Sequence, residues 1–149
     1  TMLNCSITAK SPSYKSDNKA KGDISCILGV GGSYDNKIDG KEVKSNFNAM
    51  MVLSFSYNVY VKCANAMLGE NNTEFNNEIA DCGTEIINII VGNSKTALNK
   101  MGYFPSMSIP SIVNGKNHTL SYPNNSDIIL IPIESSLVDF YIELCYNEA

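Results

Sequence analysis

The sequence predicts an α+β fold in which an antiparallel sheet packs against long helices. Two observations carry this reading. Strand-like segments stand on both sides of a central pair of helical segments, in the order β-β-β-α-α-β-β-β-β, which is not the alternation of a parallel sheet. Hairpin-type dipeptides, Asp39-Gly40 and Asn114-Gly115, punctuate the strand-like regions. The 149 residues suit a single domain, 1–149, with one core.

Taken in order, Leu3 to Ala9 alternates weakly and reads as a short strand, followed by a polar loop from Ser11 to Gly22. Asp23 to Val30 (DISCILGV) is a strand that Gly29, Gly31 and Gly32 should end. Tyr34 to Asn46 is charged and turn-rich, and Phe47 to Phe55 (FNAMMVLSF) returns as a strand, completing a meander. Ser56 can cap a helix from Tyr57 to Leu68 whose apolar face is Val59, Val61, Cys63, Ala64 and Met67, with Gly69 as its stop. After a loop at Asn71 to Thr73, the longest periodic stretch runs from about Phe75 to Met101, closed by Gly102. Ser106 to Val113, broken at Pro110, His118 to Tyr122, and a hairpin of Ile128–Ile133 with Leu137–Leu144 around Glu134-Ser135-Ser136 supply the last strands.

Composition excludes several classes. Hydrophobic residues make up 44% of the chain and charged residues 17%, so neither disorder nor coiled coil describes it. A net charge of −4 argues against nucleic acid, whose phosphates demand a basic face. Lys15, Lys19 and Lys21 form a loop cluster too small for that purpose. No apolar run approaches the roughly 18 residues that span a bilayer, and no signal peptide is visible. Cys5, Cys26, Cys63, Cys82 and Cys145 are odd in number, widely spaced and without a CxxC pair; they read as reduced thiols of a cytoplasmic protein. With His118 as the only histidine, a zinc site is not expected. The Asn-x-Ser/Thr triplets are then chance products of an Asn-rich chain. Thr1 before Met2 reads as a tag remnant or a cut end.

The chemistry concentrates on the long helix. With Asp81 at zero and about 100° per residue, Glu85, Asn88 and Gly92 fall within roughly 40° of it. Ile79, Ile86, Ile90 and Ala97 fall on the opposite side, flanked by Ile87, Ile89 and Val91, which predicts a largely buried helix with one narrow polar window. A merely solvated face is the competing reading. Against it, the polar face carries no Lys or Arg between Asp81 and Asn93, and a mid-helix glycine suggests that another backbone comes close to Gly92. Asn88 offers a donor and an acceptor that can hold a water in a fixed orientation but cannot act as a strong base. Glu85 can accept an ion pair from an incoming lysine. Such a pair suits hydrolysis of an already activated bond, such as an acyl phosphate, and does not suit peptide or glycoside hydrolysis.

Other candidates are weaker. Gly29-Val30-Gly31-Gly32 lacks the GK[ST] ending of a phosphate loop and reads as a hairpin turn. His118 has no acidic or serine neighbour in sequence and reads as structural or solvated. Cys82 reads as packing, not as a nucleophile.

With those residues placed, the chain resembles the CheX branch of the CheC-type CheY-phosphate phosphatases of bacterial chemotaxis. The motif is Asp81-Cys-Gly-Thr-Glu85-Ile-Ile-Asn88 with the distant Pro110 in SIPSIVNG, supported by LGVGG, MMVLSFS, AMLGE and IINIIVGNSK. The similarity runs from about Asp23 to Leu144. The resemblance implies a hydrolase acting on the aspartyl phosphate of a CheY-type response regulator. Asn88 would orient the attacking water and Glu85 would pair with the regulator's lysine. Asp81, Gly92 and Pro110 would belong to the docking surface. It implies Mg2+ on the phosphorylated partner, no cofactor of the chain's own, and a homodimer built on an extended sheet. A non-catalytic module that binds the phosphorylated regulator is the alternative. Three departures stand out: no helix precedes the first strand, Lys37 to Asn46 looks like an enlarged hairpin loop, and Gly83 is an unexpected helix weakener beside the motif.

Overall fold

The computed structural model describes residues 7–123, 126–135 and 139–148. Its elements are β1 (Ile7–Ala9), β2 (Ser13–Lys15), β3 (Ile24–Ile38), β4 (Lys41–Phe55), α1 (Tyr57–Leu68), α2 (Cys82–Lys100), β5 (Tyr103–Met107), β6 (Ser111–Asn114), β7 (Asp127–Ser135) and β8 (Phe140–Glu148). All strands join one antiparallel sheet in the order β1-β7-β8-β4-β3-β5, with β2 also on β7 and β6 also on β3. The α+β class predicted from sequence is the observed one. The helices are of unequal length, 12 and 19 residues, so only α2 is long.

The spine is the β3–β4 hairpin, whose ladder runs from Ile24↔Phe55 to Ile38↔Lys41. Asp39 and Gly40 both take positive φ, 52° and 76°, as a tight turn between twisted strands requires. The turn expected there is present, but the enlarged loop from Lys37 to Asn46 is not: those residues are strand. Nor do the glycines end β3 or form a hairpin turn. They are interior positions, and a Cβ on Gly32 would overlap the Phe104 carbonyl of β5. In this strand glycine marks a neighbouring backbone drawn close, not a stop.

Register sorts the two faces. Cys26, Leu28, Leu53 and Phe55 share one face and meet Tyr60 and Cys63 of α1 and Ile86, Ile87 and Val91 of α2 in the main core. Ser56 accepts from the Val59 N–H (3.3 Å), the Asp23 carboxylate accepts from Tyr57 N–H (3.1 Å), and Gly69 ends α1 at φ 66°, as expected for a left-handed cap. On the opposite face Ser25, Val52, Glu143 and Cys145 are equally buried, beneath the 10–22 and 115–122 segments. The expected loop from Ser11 to Gly22 contains β2. The expected strand from His118 to Tyr122 reduces to the bridge Lys19↔Thr119, since its side chains turn down onto the sheet in place of pairing along an edge. His118 is structural. Its Nδ1 bonds the Gly115 carbonyl (2.6 Å) and its Nε2 pairs with Ser25 Oγ (2.7 Å). Residues 3–6 of the expected first strand, Cys5 among them, lie outside the described residues, as do Ser136 and the Leu137 start of the last strand.

The same face holds a buried charge cluster. Lys15 Nζ reaches Glu143 Oε1 at 2.5 Å and Tyr122 Oη at 2.9 Å, and Tyr122 donates to the Glu143 carboxylate at 3.1 Å. The Glu143 side chain is wholly buried and that of Lys15 nearly so. Lys15 is therefore no part of a solvated lysine cluster: it ties β2 and the 115–122 segment to the sheet. Removing one member of a buried pair leaves a bare charge, which costs about 3–5 kcal/mol. Glu143→Gln should lose ~3 kcal/mol in urea unfolding by that measure, and Lys15→Met with Glu143→Leu should recover most of it. An unchanged midpoint in Glu143→Gln would show that the pair holds nothing.

Candidate functional site

The segment entering α2 is built by asparagines. The Asn65 and Asn72 side chains bond each other and the loop backbone at 2.9–3.0 Å. Asn76 Oδ1 then accepts from the Glu78 and Ile79 N–H groups at 2.9 and 3.2 Å. That side-chain bonding offers the backbone a turn in place of a helix. It is why α2 begins at Cys82 and not near Phe75 as the periodicity suggested.

Asp81 stands at the N-cap position, but its backbone is αR (φ −87°, ψ 0°) and its side chain makes no capping bond. Capping requires extended backbone there. Gly83, Ile86, Ile87 and Val91 form the buried arc of α2. On a wheel of about 100° per residue, Glu85 and Gly92 lie roughly opposite that arc and Asn88 lies about 60° from Val91. Glu85, Gly92 and Asp81 are accordingly exposed, and Asn88 is half-buried at the rim. Among the described residues neither the Glu85 carboxylate nor the Asn88 carboxamide has a hydrogen-bonding or ionic partner. Glu85 is exposed and Asn88 half-buried, and neither polar group is spent on a described residue.

Two expectations about this helix need correction. Its window is not narrow: burial ends at Val91, Ile89 is exposed, and Ala97, expected on the apolar side, is exposed too. The last turns outrun the sheet that buries the first ones. The stripe also continues past Gly92 to Lys95 and Asn99, both exposed and within roughly 40° of the Asp81 direction. A heptad step from Asn88 to Lys95 could have flagged them.

The glycines exchange roles. Among the described residues a Cβ on Gly92 would meet nothing within 4 Å, so no described backbone approaches it. A Cβ on Gly83 would overlap Cys26 Sγ and come within 3.1 Å of Tyr60 Oη and of Ile112. The apparent helix weakener is the close contact, and it lets the first turn of α2 seat on β3, β6 and α1. Pro110 belongs to the connection leading into β6, two residues before Ile112 and beside Ile109, which is 90% exposed. It is on a different element from Glu85 and Asn88.

The thiols here are held protonated. Burial, with Cys63 alongside, pushes Cys26 up to about 12, and burial raises Cys82 as well. Neither has nucleophile character. Among the described residues Cys26, Cys82 and Cys145 are in no disulfide. Among the described residues no group of His, Cys, Asp and Glu side chains could hold a metal ion, and no helix is long and apolar enough to cross a membrane.

The sequence matches the family described as chemotaxis phosphatase CheX over residues 42–134. A CheC-like superfamily protein from Shewanella sp. PV-4 is 29% identical with a TM-score of 0.77, covering 98% of this chain and 87% of that one. CheX from Vibrio vulnificus is 27% identical with a TM-score of 0.78, covering 99% and 89%. The Borrelia burgdorferi protein, solved as a CheX–CheY–BeF3–Mg2+ complex, shares the fold at 24% identity and a TM-score of 0.72, covering 99% and 87%. No curated protein matches the chain.

Two predictions test this packing. Gly83→Ala should destabilise by about 1–3 kcal/mol through overpacking, whereas Gly92→Ala should add up to about 1 kcal/mol of helix propensity; chemical denaturation of both variants checks the contrast. The Cys26 thiol gives a pH test. Its folded value is raised, so folding stability is intact below about pH 9 and falls as the unfolded chain ionises first, by about 1.4 kcal/mol per pH unit up to about pH 12. Urea midpoints from pH 8 to 11 should fall less steeply in Cys26→Ala; equal slopes would remove Cys26 from the effect.

Proposed function

Because the chain belongs to the CheX family of chemotaxis phosphatases, we propose that it hydrolyses the aspartyl phosphate of a CheY-type response regulator, using Asn88 to orient water and Glu85 to engage the regulator's lysine. The observation that carries this reading is the pair of unspent polar side chains, one turn apart, on the exposed side of α2. An aspartyl phosphate is a mixed anhydride, so its P–O bond is activated before the phosphatase arrives. What remains is to set a water in line behind phosphorus and exclude other geometries.

A carboxamide can do both halves of that task. Its carbonyl oxygen accepts from the water, and its N–H donates to a phosphoryl oxygen whose charge grows. The water's oxygen bonds phosphorus as the bond to the aspartyl oxygen breaks, releasing inorganic phosphate, the free carboxylate and one proton. Glu85 contributes docking: a carboxylate without a partner among the described residues can accept a charge-assisted bond from a lysine. Asp81 lies one turn before Glu85 and would extend the acidic contact. Gly92, with open space above it, gives a partner's backbone room to approach. Pro110 would meet the partner from the β5–β6 connection. Magnesium belongs to the regulator in this reading. The Borrelia structure, a CheX complex that contains CheY, BeF3 and Mg2+, supports it. The proposal includes a homodimer and a cytoplasmic site of action, where such regulators work.

Phosphate release from a Mg2+-loaded, phosphorylated CheY-type regulator tests the reading. Wild type should accelerate release. Asn88→Ala should lose at least ~100-fold of the acceleration, the scale of a lost transition-state donor, while still binding the BeF3-loaded regulator. Glu85→Lys should lose binding by ~10-fold or more, as expected for one charge-assisted contact reversed. Asn88→Ala at the wild-type rate would overturn the assignment. Binding without acceleration by wild type would leave the non-catalytic module.

A further inference from the structure

We propose that Tyr60 of α1 is the positioning residue of this site, an inference that rests on the reading of Glu85 and Asn88 above. Tyr60 is fully buried, with its ring packed edge-on against Phe55 and Phe75 at centroid distances of 5.7 and 5.8 Å. Its hydroxyl spans the entry to α2, donating to the Ala80 carbonyl at 2.5 Å and accepting from the Gly83 N–H at 2.7 Å. Those two groups bracket Asp81, the residue that stands at the N-cap without capping.

A helix leaves its first N–H groups without partners in its own backbone, and local side chains ordinarily supply them. Here the Cys82 and Thr84 N–H groups bond the Ile79 and Asp81 carbonyls, and the Gly83 N–H takes its partner from another helix. The consequence is mechanical: the first turn of α2 is fixed to α1 and, through the missing Cβ of Gly83, to Cys26 of β3. Burial holds the Tyr60 phenol well above its ordinary value, so the hydroxyl keeps its proton and stays a donor throughout the working range. Glu85 lies in that first turn and Asn88 in the next. Tyr60 touches neither the water nor the phosphoryl group. It sets the angle from which the two side chains reach them. A lone capping bond from Asp81 would have fixed the turn only to itself, and would have consumed a carboxylate at the head of the stripe.

The test is Tyr60→Phe, which keeps the ring and removes both bonds, assayed beside Asn88→Ala and beside Leu130→Ala, a packing control on the far face of the sheet. Misplacing a positioned group by a fraction of an ångström to 1 Å costs up to ~100-fold in rate. Tyr60→Phe should therefore lose ~10-fold or more in kcat, with KM for the phosphorylated regulator changed less than about threefold. Amide hydrogen exchange should speed up at 82–88 and not in β3 and β4. Leu130→Ala should lower thermal stability with kcat unchanged. Gly83→Ala, which displaces the same turn from the other side, should reproduce the kcat loss. Wild-type kcat in Tyr60→Phe, or unchanged exchange at 82–88, with Asn88→Ala inactive, overturns the role of Tyr60 and leaves the site reading intact. Asn88→Ala matching wild type overturns both.

Discussion

Everything in this fold depends on the β3–β4 ladder, because its inner half is buried on both faces. Ile24 through Leu28 pair with Phe55 through Met51, and the side chains of these rows alternate between the helical core and the opposite face. A strand buried on one face needs only alternation, but one buried on both needs two separate covers. The helices supply the first. The second is irregular chain, and irregular chain brings polar groups that must find partners inside. His118 with Ser25, and Lys15 with Glu143 and Tyr122, are those partners. The buried ion pair is better understood as a fixing device for the 10–22 and 115–122 segments than as a source of net stability, since well-packed apolar residues of like volume would serve stability as well.

The same ladder locates the site. Cys26 lies on its helical face, Gly83 packs on Cys26, and Tyr60 closes over both, so the register of β3 fixes where α2 begins. From there the helical repeat does the rest. Once Gly83, Ile86, Ile87 and Val91 are turned to the sheet, Asp81, Glu85 and Asn88 have no direction left but outward. Asn88 falls at the rim of the buried arc, which limits its rotamers more than those of Glu85. If Asn88 orients water and Glu85 docks a lysine, as proposed, the amide profits from that restriction and the carboxylate from reach.

How much of this was legible in the sequence follows from where each signal resides. Ser56, Gly69 and Asp39-Gly40 act through their own backbone, and all three were readable as caps and a turn. The polar stripe was readable because helical geometry is local. The glycines were not, because a glycine's meaning lies in what stands opposite its missing Cβ: the Phe104 carbonyl for Gly32, the Cys26 sulfur for Gly83, open space for Gly92. Lys15 looked like one of three loop lysines because its partner is 128 residues away. The start of α2 was misplaced because Asn76 competes for the backbone with groups that periodicity does not count. Tyr60 was not on the expected apolar face of its helix, yet its ring is core; its oxygen, meeting an entry turn 20 residues on, gives it the further role proposed above.

The charges along α2 add a direction to the stripe. Its first turn carries Glu85 beside Asp81, where the positive end of the helix dipole favours carboxylates, and its last turn carries Lys100, where the negative end favours a cation. Between them come the neutral Asn88 and Gly92, then Lys95. The acidic head is thus stabilised by the helix even without ion pairs, and it can stay unpaired in the free protein at little cost. In the proposed reading, a partner offering a lysine on one side of an anionic phosphoryl group would meet matching charge in one orientation only: its lysine toward Glu85, its phosphoryl group over Asn88. The reversed orientation sets lysine against Lys95 and the anion against Asp81 and Glu85. In that reading the helix dipole and the buried arc, neither of which would touch the partner, together decide which way round it sits.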